Sequence, residues 1–259
     1  MHPSSPEFQS LSPFQQLVEV VAALRAPDGC PWDRKQTHQT LTPFLIEEAY
    51  ECVEALELNE DPKMQEELGD LAFQVVLHAQ LARERGAFDV EDVCQGIVAK
   101  MVRRHPHVFE RNGELDSPAA VLQQWDQIKK LEKGEKAVTS ALDGVSAGLP
   151  SLPQAALIQE RAARSGFAYP DAGAAWSKLQ EELAEFQAQP SENELGDVLF
   201  ALVSVAHQHG IDPEAALRGT NRKFRERYQG LERRFPEGLK TESPEALVSA
   251  WRELSRESS

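Results

Sequence analysis

The sequence has little cysteine, few aromatic residues and no long hydrophobic run. Its three cysteines form no Cys-x-x-Cys pair, which argues against a disulfide framework and against a thiolate metal site. The longest apolar run, Val198 to Ala206, is far shorter than the roughly 20 residues that span a bilayer. Residues 1–12 are polar and rich in Ser and Pro, without the apolar centre of a signal peptide. We therefore expect a cytoplasmic protein that does not bind a membrane, with residues 1–12 disordered.

Positive charge is also scarce. The sequence has 27 Lys and Arg residues against 42 Asp and Glu residues, which gives a net charge of -15. This balance argues against binding to nucleic acid polymers or to an anionic membrane surface. It leaves room for a small phosphate ligand, because a local group of cations and a metal ion can override the global field. Runs of alternating β-branched residues are missing as well, so the sequence predicts an all-α fold.

Two segments of the first half place carboxylates three residues apart in helical sequence. Glu48 and Glu51 form the first pair, on one helix face. Glu67 and Asp70 form the second pair. The two pairs are mirror images about Asn59, which precedes an Asp-Pro helix-start signal. An antiparallel helix hairpin would therefore bring the four acids together.

The second half repeats this arrangement. Glu182 and Glu185 mirror Asp197 and Glu194 about the bond between Gln189 and the following proline. Four like charges on facing helices repel one another unless something neutralises them, and a divalent cation is the natural candidate. The second hairpin is predicted to be shorter than the first by about one helical turn in each arm.

The duplication predicts two similar helical-bundle domains, each with one acidic hairpin. Gly69 and Gly196, in the repeated Glu-Leu-Gly-Asp motif, would allow close helix approach. Some of the helices are expected at 42–57, 155–164 and 213–228. The predicted organisation is a disordered segment 1–12, a first domain 13–131, a Gly- and Pro-rich linker 132–153 and a second domain 154–256.

Cations and tryptophans recur in the same order in both halves. Lys100 and Arg104 lie four residues apart, and so do Lys223 and Arg227, which places each pair on one helix face. Lys and Arg there suit phosphate groups, the Arg through its planar fork. An exposed basic helix end is the alternative interpretation of each pair.

The combination of acids and cations favours phosphoanhydride hydrolysis. The carboxylates would hold Mg²⁺, or Mn²⁺ in its place, and share it with substrate phosphates. A solvated acidic helix face remains the alternative for any single pair. No P-loop is present, and no histidine has a Glu three residues before it, which argues against a carboxylate-bridged di-iron site.

The motifs resemble those of the MazG family of nucleoside triphosphate pyrophosphohydrolases over residues 12–256. The motifs that carry the resemblance are residues 29–33 (GCPWD), 47–51 (EEAYE), 67–70 (ELGD), 103–109 (RRHPHVF), 125–129 (WDQIK) and 194–197 (ELGD). Taken together they are highly specific, whereas Glu-x-x-Glu alone is weak.

The resemblance implies tandem helical domains, a homodimer and Mg²⁺-dependent cleavage of (d)NTPs between the α and β phosphates to NMP and pyrophosphate. It also implies that the C-terminal copy can carry the activity while the N-terminal copy is structural, although the sequence keeps both copies as candidates. A non-catalytic helical protein that binds nucleotides or a partner is the alternative function.

The implied roles fall on matching positions of the two halves. Glu48, Glu51, Glu182 and Glu185 are the expected catalytic acids, which bind metal and position water. The expected metal ligands are Glu48, Glu51, Glu67, Asp70, Glu182, Glu185, Glu194 and Asp197. The expected nucleotide contacts are Lys100, Arg104, Trp125, Lys178, Lys223, Arg227 and Trp251.

Overall fold

The computed structural model describes residues 4–110, 117–132 and 140–257. Within these residues the chain consists of α-helices, two short 3-10 helices and turns, and it contains no strand. The prediction of an all-α fold is confirmed. No helix among the described residues is long and apolar enough to cross a bilayer.

The chain divides into two compact units, Met1–Glu132 (unit 1) and Lys133–Ser259 (unit 2). The division between the units, after Glu132, lies close to the start of the predicted linker. The exact domain boundaries remain a prediction. The helices of unit 1 are α1 (Pro6–Gln9), α2 (Pro13–Arg25), α3 (His38–Leu58), α4 (Asp61–Glu84), α5 (Val90–Arg104), α6 (Pro106–Phe109) and α7 (Pro118–Glu132). Those of unit 2 are α8 (Ser151–Arg164), α9 (Ala172–Ala188), α10 (Glu192–Gln208), α11 (Pro213–Arg234) and α12 (Pro244–Glu257).

Helices α3 and α4 form the predicted antiparallel hairpin, and α2 packs against α4. The core of unit 1 lies between them, with Val21, Leu41 and Leu77 almost completely buried. Arg25, at the end of α2, donates to both carboxylate oxygens of Glu84 at 2.6 Å. This pair fixes the end of α2 to the end of α4.

The turn between α3 and α4 is built on Asn59. This residue has φ 55° and ψ 40°, the left-handed conformation that ends many helices. The N–H of Asn59 donates to the Leu56 carbonyl, and the N–H of Glu60 donates to the Ala55 carbonyl. The chain therefore reverses at the centre of the mirror relation between the acids.

The α9–α10 hairpin of unit 2 turns at Gln189 and Pro190. Ser191 caps α10, because its hydroxyl accepts a hydrogen bond from the Glu194 N–H. Ala175 and Leu179 of α9 pack against Ala201 and neighbouring residues of α10 in a small core. α8 packs against α10 and α11, and α12 against α11.

Three helices differ in extent from the predictions. The prediction placed the start of α3 at Thr42, whereas α3 begins at His38, because Thr37 and Thr40 form a reciprocal cap. Pro43 therefore lies inside the helix. α8 begins at Ser151, inside the predicted linker, and α11 continues six residues beyond Tyr228 to Arg234.

The segment predicted to be disordered also differs where the structure describes it. Residues 6–9 form the short helix α1, whose first turn is capped by the Ser5 hydroxyl. Phe8 is buried, and the Gln16 side-chain amide donates to the Phe8 carbonyl at 3.2 Å. The hydrogen bond from Gln16 ties the segment to α2.

The role predicted for the two glycines is wrong. A Cβ added at Gly69 or at Gly196 would meet no atom within 4 Å, apart from the helix's own backbone. Both glycines thus face open space rather than a neighbouring helix, so they do not set the approach of the two helices.

Candidate metal and nucleotide site

The α3–α4 hairpin brings three of its four predicted ligands into one cluster. One carboxylate oxygen from each of Glu48, Glu67 and Asp70 lies within 4.8 Å of the others. Glu67 is buried, with 8% of its surface exposed, whereas Asp70 is exposed. Glu51 lies outside this set.

Mutual repulsion and burial raise the pKa values of two acids in the first cluster. Burial raises the pKa of Glu48, and the charges of Asp70 and Glu51 raise it further. Burial likewise raises the pKa of Glu67, and the charge of Glu51 adds to the effect. Glu51 is therefore close enough to act electrostatically on both, although it is not part of the three-acid cluster.

The α9–α10 hairpin forms the second cluster from Glu182, Glu185 and Glu194, again with one oxygen from each within 4.8 Å. The charge of Glu182 is the largest cause of a raised pKa at Glu185. Asp197 lies outside this set, and its carboxylate accepts a hydrogen bond from the Asn193 side-chain amide at 3.1 Å.

Lys178 contacts the second cluster directly. Its Nζ lies 2.7 Å from Oε1 of Glu182 and 2.6 Å from Oε1 of Glu181. These two carboxylates raise the pKa of Lys178. The matching position of α3, four residues before Glu48, is Phe44. The two clusters thus differ in charge, because only the second has a lysine at this position.

The donor set fits a hard divalent cation. Mg²⁺ prefers oxygen ligands at about 2.0–2.1 Å, so two oxygens on opposite sides of the ion are about 4 Å apart. Carboxylate oxygens within 4.8 Å of one another need only small side-chain shifts to reach that spacing. Each hairpin can therefore hold Mg²⁺ or Mn²⁺ with three carboxylates and leave positions for water and phosphate.

The predicted phosphate ligands of unit 1 lie on α5. Arg104 donates to Glu132 of α7 at 2.6 Å, and Arg103 donates to the same carboxylate at 2.7 Å. These two guanidinium groups lower the pKa of Glu132 to about 2. Arg104 is thus held by an ion pair between helices, while Lys100 is half-buried on the same helix.

The predicted phosphate ligands of unit 2 lie on α11. Lys223 is exposed, and Arg227 is half-buried. The Nε of Arg227 is buried and has no hydrogen-bond partner among the residues that the structure describes. This donor is therefore unsatisfied within unit 2.

The two predicted tryptophans both pack on aromatic rings of their own unit. The rings of Trp125 and His105 form a T-shaped contact, with centroids 4.9 Å apart. Trp251 lies against Phe224, with centroids 5.0 Å apart. The tryptophan of α7 therefore packs next to the end of α5, and the tryptophan of α12 packs on the middle of α11.

Comparison with known proteins decides the family. The model of the MazG nucleotide pyrophosphohydrolase domain matches residues 36–109. The chain is 46% identical over 223 residues to the nucleoside triphosphate pyrophosphohydrolase/pyrophosphatase MazG of Thermotoga maritima, covering 85% of each protein. The chain belongs to the MazG family. The expected family is thereby confirmed.

A further relative agrees with this assignment. The MazG-family chain is 40% identical over 233 residues to the nucleoside triphosphate pyrophosphohydrolase of Escherichia coli K12, covering 86% of this chain and 88% of the relative. A crystal structure of a mazG-related protein from Thermotoga maritima is 31% identical, with a TM-score of 0.39, and covers 45% of this chain and 98% of that one. The two full-length matches are longer than unit 1, so they extend across both units of this MazG chain.

Sequence reasoning did not foresee that Lys178 contacts a cluster carboxylate in this MazG chain. The spacing carries the signal, because Lys178 and Glu182 are four residues apart on one helix. The preference of Asp197 for Asn193 follows the same spacing. By contrast, no local pattern indicates that Glu132 holds Arg104, because the two residues come from different helices.

Proposed function

We propose that this chain is a cytoplasmic, Mg²⁺-dependent nucleoside triphosphate pyrophosphohydrolase that acts as a homodimer. It cleaves (d)NTPs between the α and β phosphates and yields (d)NMP and pyrophosphate. The observation that carries the proposal is the meeting of three carboxylates from two facing helices, once in each unit. The names of the relatives, nucleoside triphosphate pyrophosphohydrolases, support the same activity.

The acids of each hairpin are the proposed metal ligands. Glu48, Glu67 and Asp70 serve in unit 1, with Glu51 beside them. Glu182, Glu185 and Glu194 serve in unit 2, with Asp197 one turn further along α10. When bound, Mg²⁺ supplies positive charge to the phosphate oxygens and to the departing pyrophosphate. The carboxylates themselves hold and orient the attacking water.

The cations and tryptophans are the proposed nucleotide contacts. In unit 2, Lys223 and Arg227 bind phosphate oxygens, because they lie four residues apart on one face of α11. Lys178 moves between its carboxylate partners and the substrate phosphates, since an ammonium group can serve either. The remaining proposed contacts are Lys100, Arg104, Trp125 and Trp251.

Product analysis tests this function most simply. Purified protein is incubated with ATP, CTP, GTP, UTP and a dNTP, and the nucleotides and phosphates are separated. We expect NMP and pyrophosphate in equal amounts, loss of the reaction with EDTA, and its return with excess Mg²⁺. Formation of NDP and orthophosphate would contradict cleavage between the α and β phosphates, and no hydrolysis at all would favour a non-catalytic binding protein.

A further inference from the structure

The two acidic clusters differ in what neutralises their buried carboxylate. Glu67 of unit 1 and Glu182 of unit 2 have only 8% and 7% of their surfaces exposed. A buried carboxylate needs a cation or hydrogen-bond donors beside it, because water no longer solvates its charge. The neighbours of these two acids therefore show which cluster already contains a counter-charge.

Glu67 has no counter-charge in contact. Within residues 4–110, 117–132 and 140–257, no group donates a hydrogen bond to its carboxylate and no cation forms an ion pair with it. Lys63 lies one turn earlier on α4, but its ion pair is with Glu54, at 3.2 Å. The Glu67 carboxylate instead lies with two further acids, because one of its oxygens is within 4.8 Å of an oxygen of Glu48 and of Asp70. Three carboxylates thus meet in unit 1 around a buried, unpartnered side chain.

Glu182 has an internal cation. The Nζ of Lys178 lies 2.7 Å from Oε1 of Glu182, which follows it by one turn on α9. The same Nζ lies 2.6 Å from Oε1 of Glu181. The ammonium group of Lys178 therefore supplies in unit 2 the positive charge that Glu67 lacks in unit 1.

The repeat explains the difference. The residue of unit 1 at the position of Lys178 is Phe44, four residues before Glu48. Phe44 packs against the core of unit 1, and its ring forms a T-shaped contact with Trp32, with centroids 5.8 Å apart. An aromatic side chain in this position offers no positive charge to the acids. The acids of unit 1 must therefore take their counter-charge from solution.

In unit 2, by contrast, a divalent ion and Lys178 compete for the same carboxylate. Mg²⁺ binds carboxylate oxygens at about 2.0–2.1 Å, so an ion on Oε1 of Glu182 would lie within about 5 Å of the Lys178 ammonium group. The two positive charges of the ion and the charge of the ammonium group repel each other at this distance. Ion binding is weakened as long as the ammonium group stays in place. Substrate phosphates offer it another anion.

We propose that the α3–α4 cluster holds a resident divalent cation in the absence of nucleotide, whereas Lys178 weakens cation binding to the α9–α10 cluster until nucleotide arrives. The inference rests on the metal role of these acids in the proposed function, and it gives the two sites different behaviour. The ligand is a hard divalent cation, Mg²⁺ or Mn²⁺, held by carboxylate oxygens.

Mn²⁺ binding without nucleotide tests the difference between the clusters. Mn²⁺ is titrated into the full chain, and electron paramagnetic resonance measures the free ion. We expect one tighter site per chain and a second site with a Kd about tenfold higher, the scale of one hydrogen bond to a charged group. Asp70 and Glu185 are the exposed acids of the two clusters. Asp70→Asn should remove the tighter site alone, and Glu185→Gln should remove the weaker site alone.

Variants of Lys178 test the cause, in a chain that also carries Asp70→Asn, so that only the unit 2 site is measured. Lys178→Met should lower the Mn²⁺ Kd of this site about tenfold, whereas Lys178→Arg, which keeps the positive charge, should leave it unchanged. The control is Lys240→Met, at an exposed lysine of the 3-10 helix Leu239–Thr241, and it should also leave the Kd unchanged. Circular dichroism checks that each variant is folded. The comparison of Asp70→Asn with Glu185→Gln does not depend on the Lys178 variants.

The outcomes separate this inference from the proposed function. Equal Mn²⁺ affinities at the two clusters, tighter binding at the α9–α10 cluster, or no Mn²⁺ binding without nucleotide would overturn the inference. An unchanged Kd in folded Lys178→Met would overturn it as well. If Mn²⁺ bound as expected but wild type released no pyrophosphate, the proposed function would fail while the inference would stand. Pyrophosphate release together with equal Mn²⁺ affinities would have the opposite meaning.

Discussion

At the scale of single residues, each hairpin buries one carboxylate and leaves its partners at the edge. Glu67 and Glu182 are the buried acids, with 8% and 7% of their surfaces exposed. A buried carboxylate is costly unless a cation or hydrogen bonds compensate it. Lys178 compensates Glu182 directly, whereas Lys63, four residues before Glu67, is bonded to Glu54 at 3.2 Å. The first cluster consequently depends more on an external cation.

A second residue-scale feature is the histidine pair that joins α3 to α4. The Nδ1 atoms of His38 and His78 are 2.8 Å apart, and the rings are nearly parallel. One ring must donate and the other accept, so the pair needs at least one neutral imidazole. Burial lowers the pKa of His78, and the charge of His38 lowers it further.

This pair predicts a pH dependence of stability. Because the folded-state pKa of His78 is below its unfolded value of about 6.5, the unfolded chain takes up protons first as the pH falls. The pair's contribution to stability is therefore complete above about pH 6.5 and decreases as the pH falls towards the folded-state pKa. NMR titration of the imidazole signals should give a His78 pKa below that of a free histidine.

The matched variant for this measurement is His78→Gln. Its free energy of unfolding should vary less between about pH 7.5 and pH 5.5 than that of wild type, because it lacks the titrating ring. A His78 pKa at or above 6.5, or the same pH dependence in both proteins, would contradict this interpretation.

At the scale of elements, the hairpin is the unit that makes the site. The arms of α3–α4 are longer than those of α9–α10, yet acids equally far from the turn meet in both. The mirror relation brings Glu48 together with Asp70 and Glu185 together with Glu194, whereas the third acid of each cluster differs between the hairpins. A change in arm length therefore moves the cluster relative to the turn without dispersing it.

The Asn59 turn yields a prediction for the first hairpin. Asn59→Val places a β-branched residue at φ 55°, which should lower the free energy of unfolding by about 1–2 kcal/mol. Asn59→Gly should keep or slightly raise stability, since glycine accepts this conformation. Urea denaturation of the full chain, followed by circular dichroism, measures both. Equal destabilisation by Val and Gly would show that the backbone conformation is not what the turn requires.

Sequence periodicity predicted the helices and the acidic hairpins because both depend on local spacing. The start of α3 was missed because Pro43 resembled a helix start, while the reciprocal cap of Thr37 and Thr40 lies one turn earlier. The partner of Arg104 was missed for another reason. Its ion pair with Glu132 joins two helices, and tertiary contacts of this kind have no local signature.

At the scale of the whole molecule, the two related units share some functional features and differ in others. Both have an acidic cluster, a basic helix and a packed tryptophan. Unit 2 adds Lys178 and a cavity of about 410 Å³, whose walls come from α8, α10 and the loop between α8 and α9 and so could not be read from any one segment. Unit 1 adds the histidine pair and the closed Trp32–Phe44 contact.

The most direct measurement compares Mg²⁺-dependent pyrophosphate release by wild type, Glu48→Gln, Glu182→Gln and the double variant. Each substitution removes one charge from one cluster while keeping the side-chain shape. The charge-matched control is the double variant Glu47→Gln/Glu192→Gln, at acids adjacent to the hairpin sites but outside the clusters. The account predicts that the double cluster variant loses at least about 100-fold in kcat/KM, the scale of losing one preorganised electrostatic partner. It also predicts that the control retains the wild-type rate. A double cluster variant that releases pyrophosphate as fast as wild type would contradict the account.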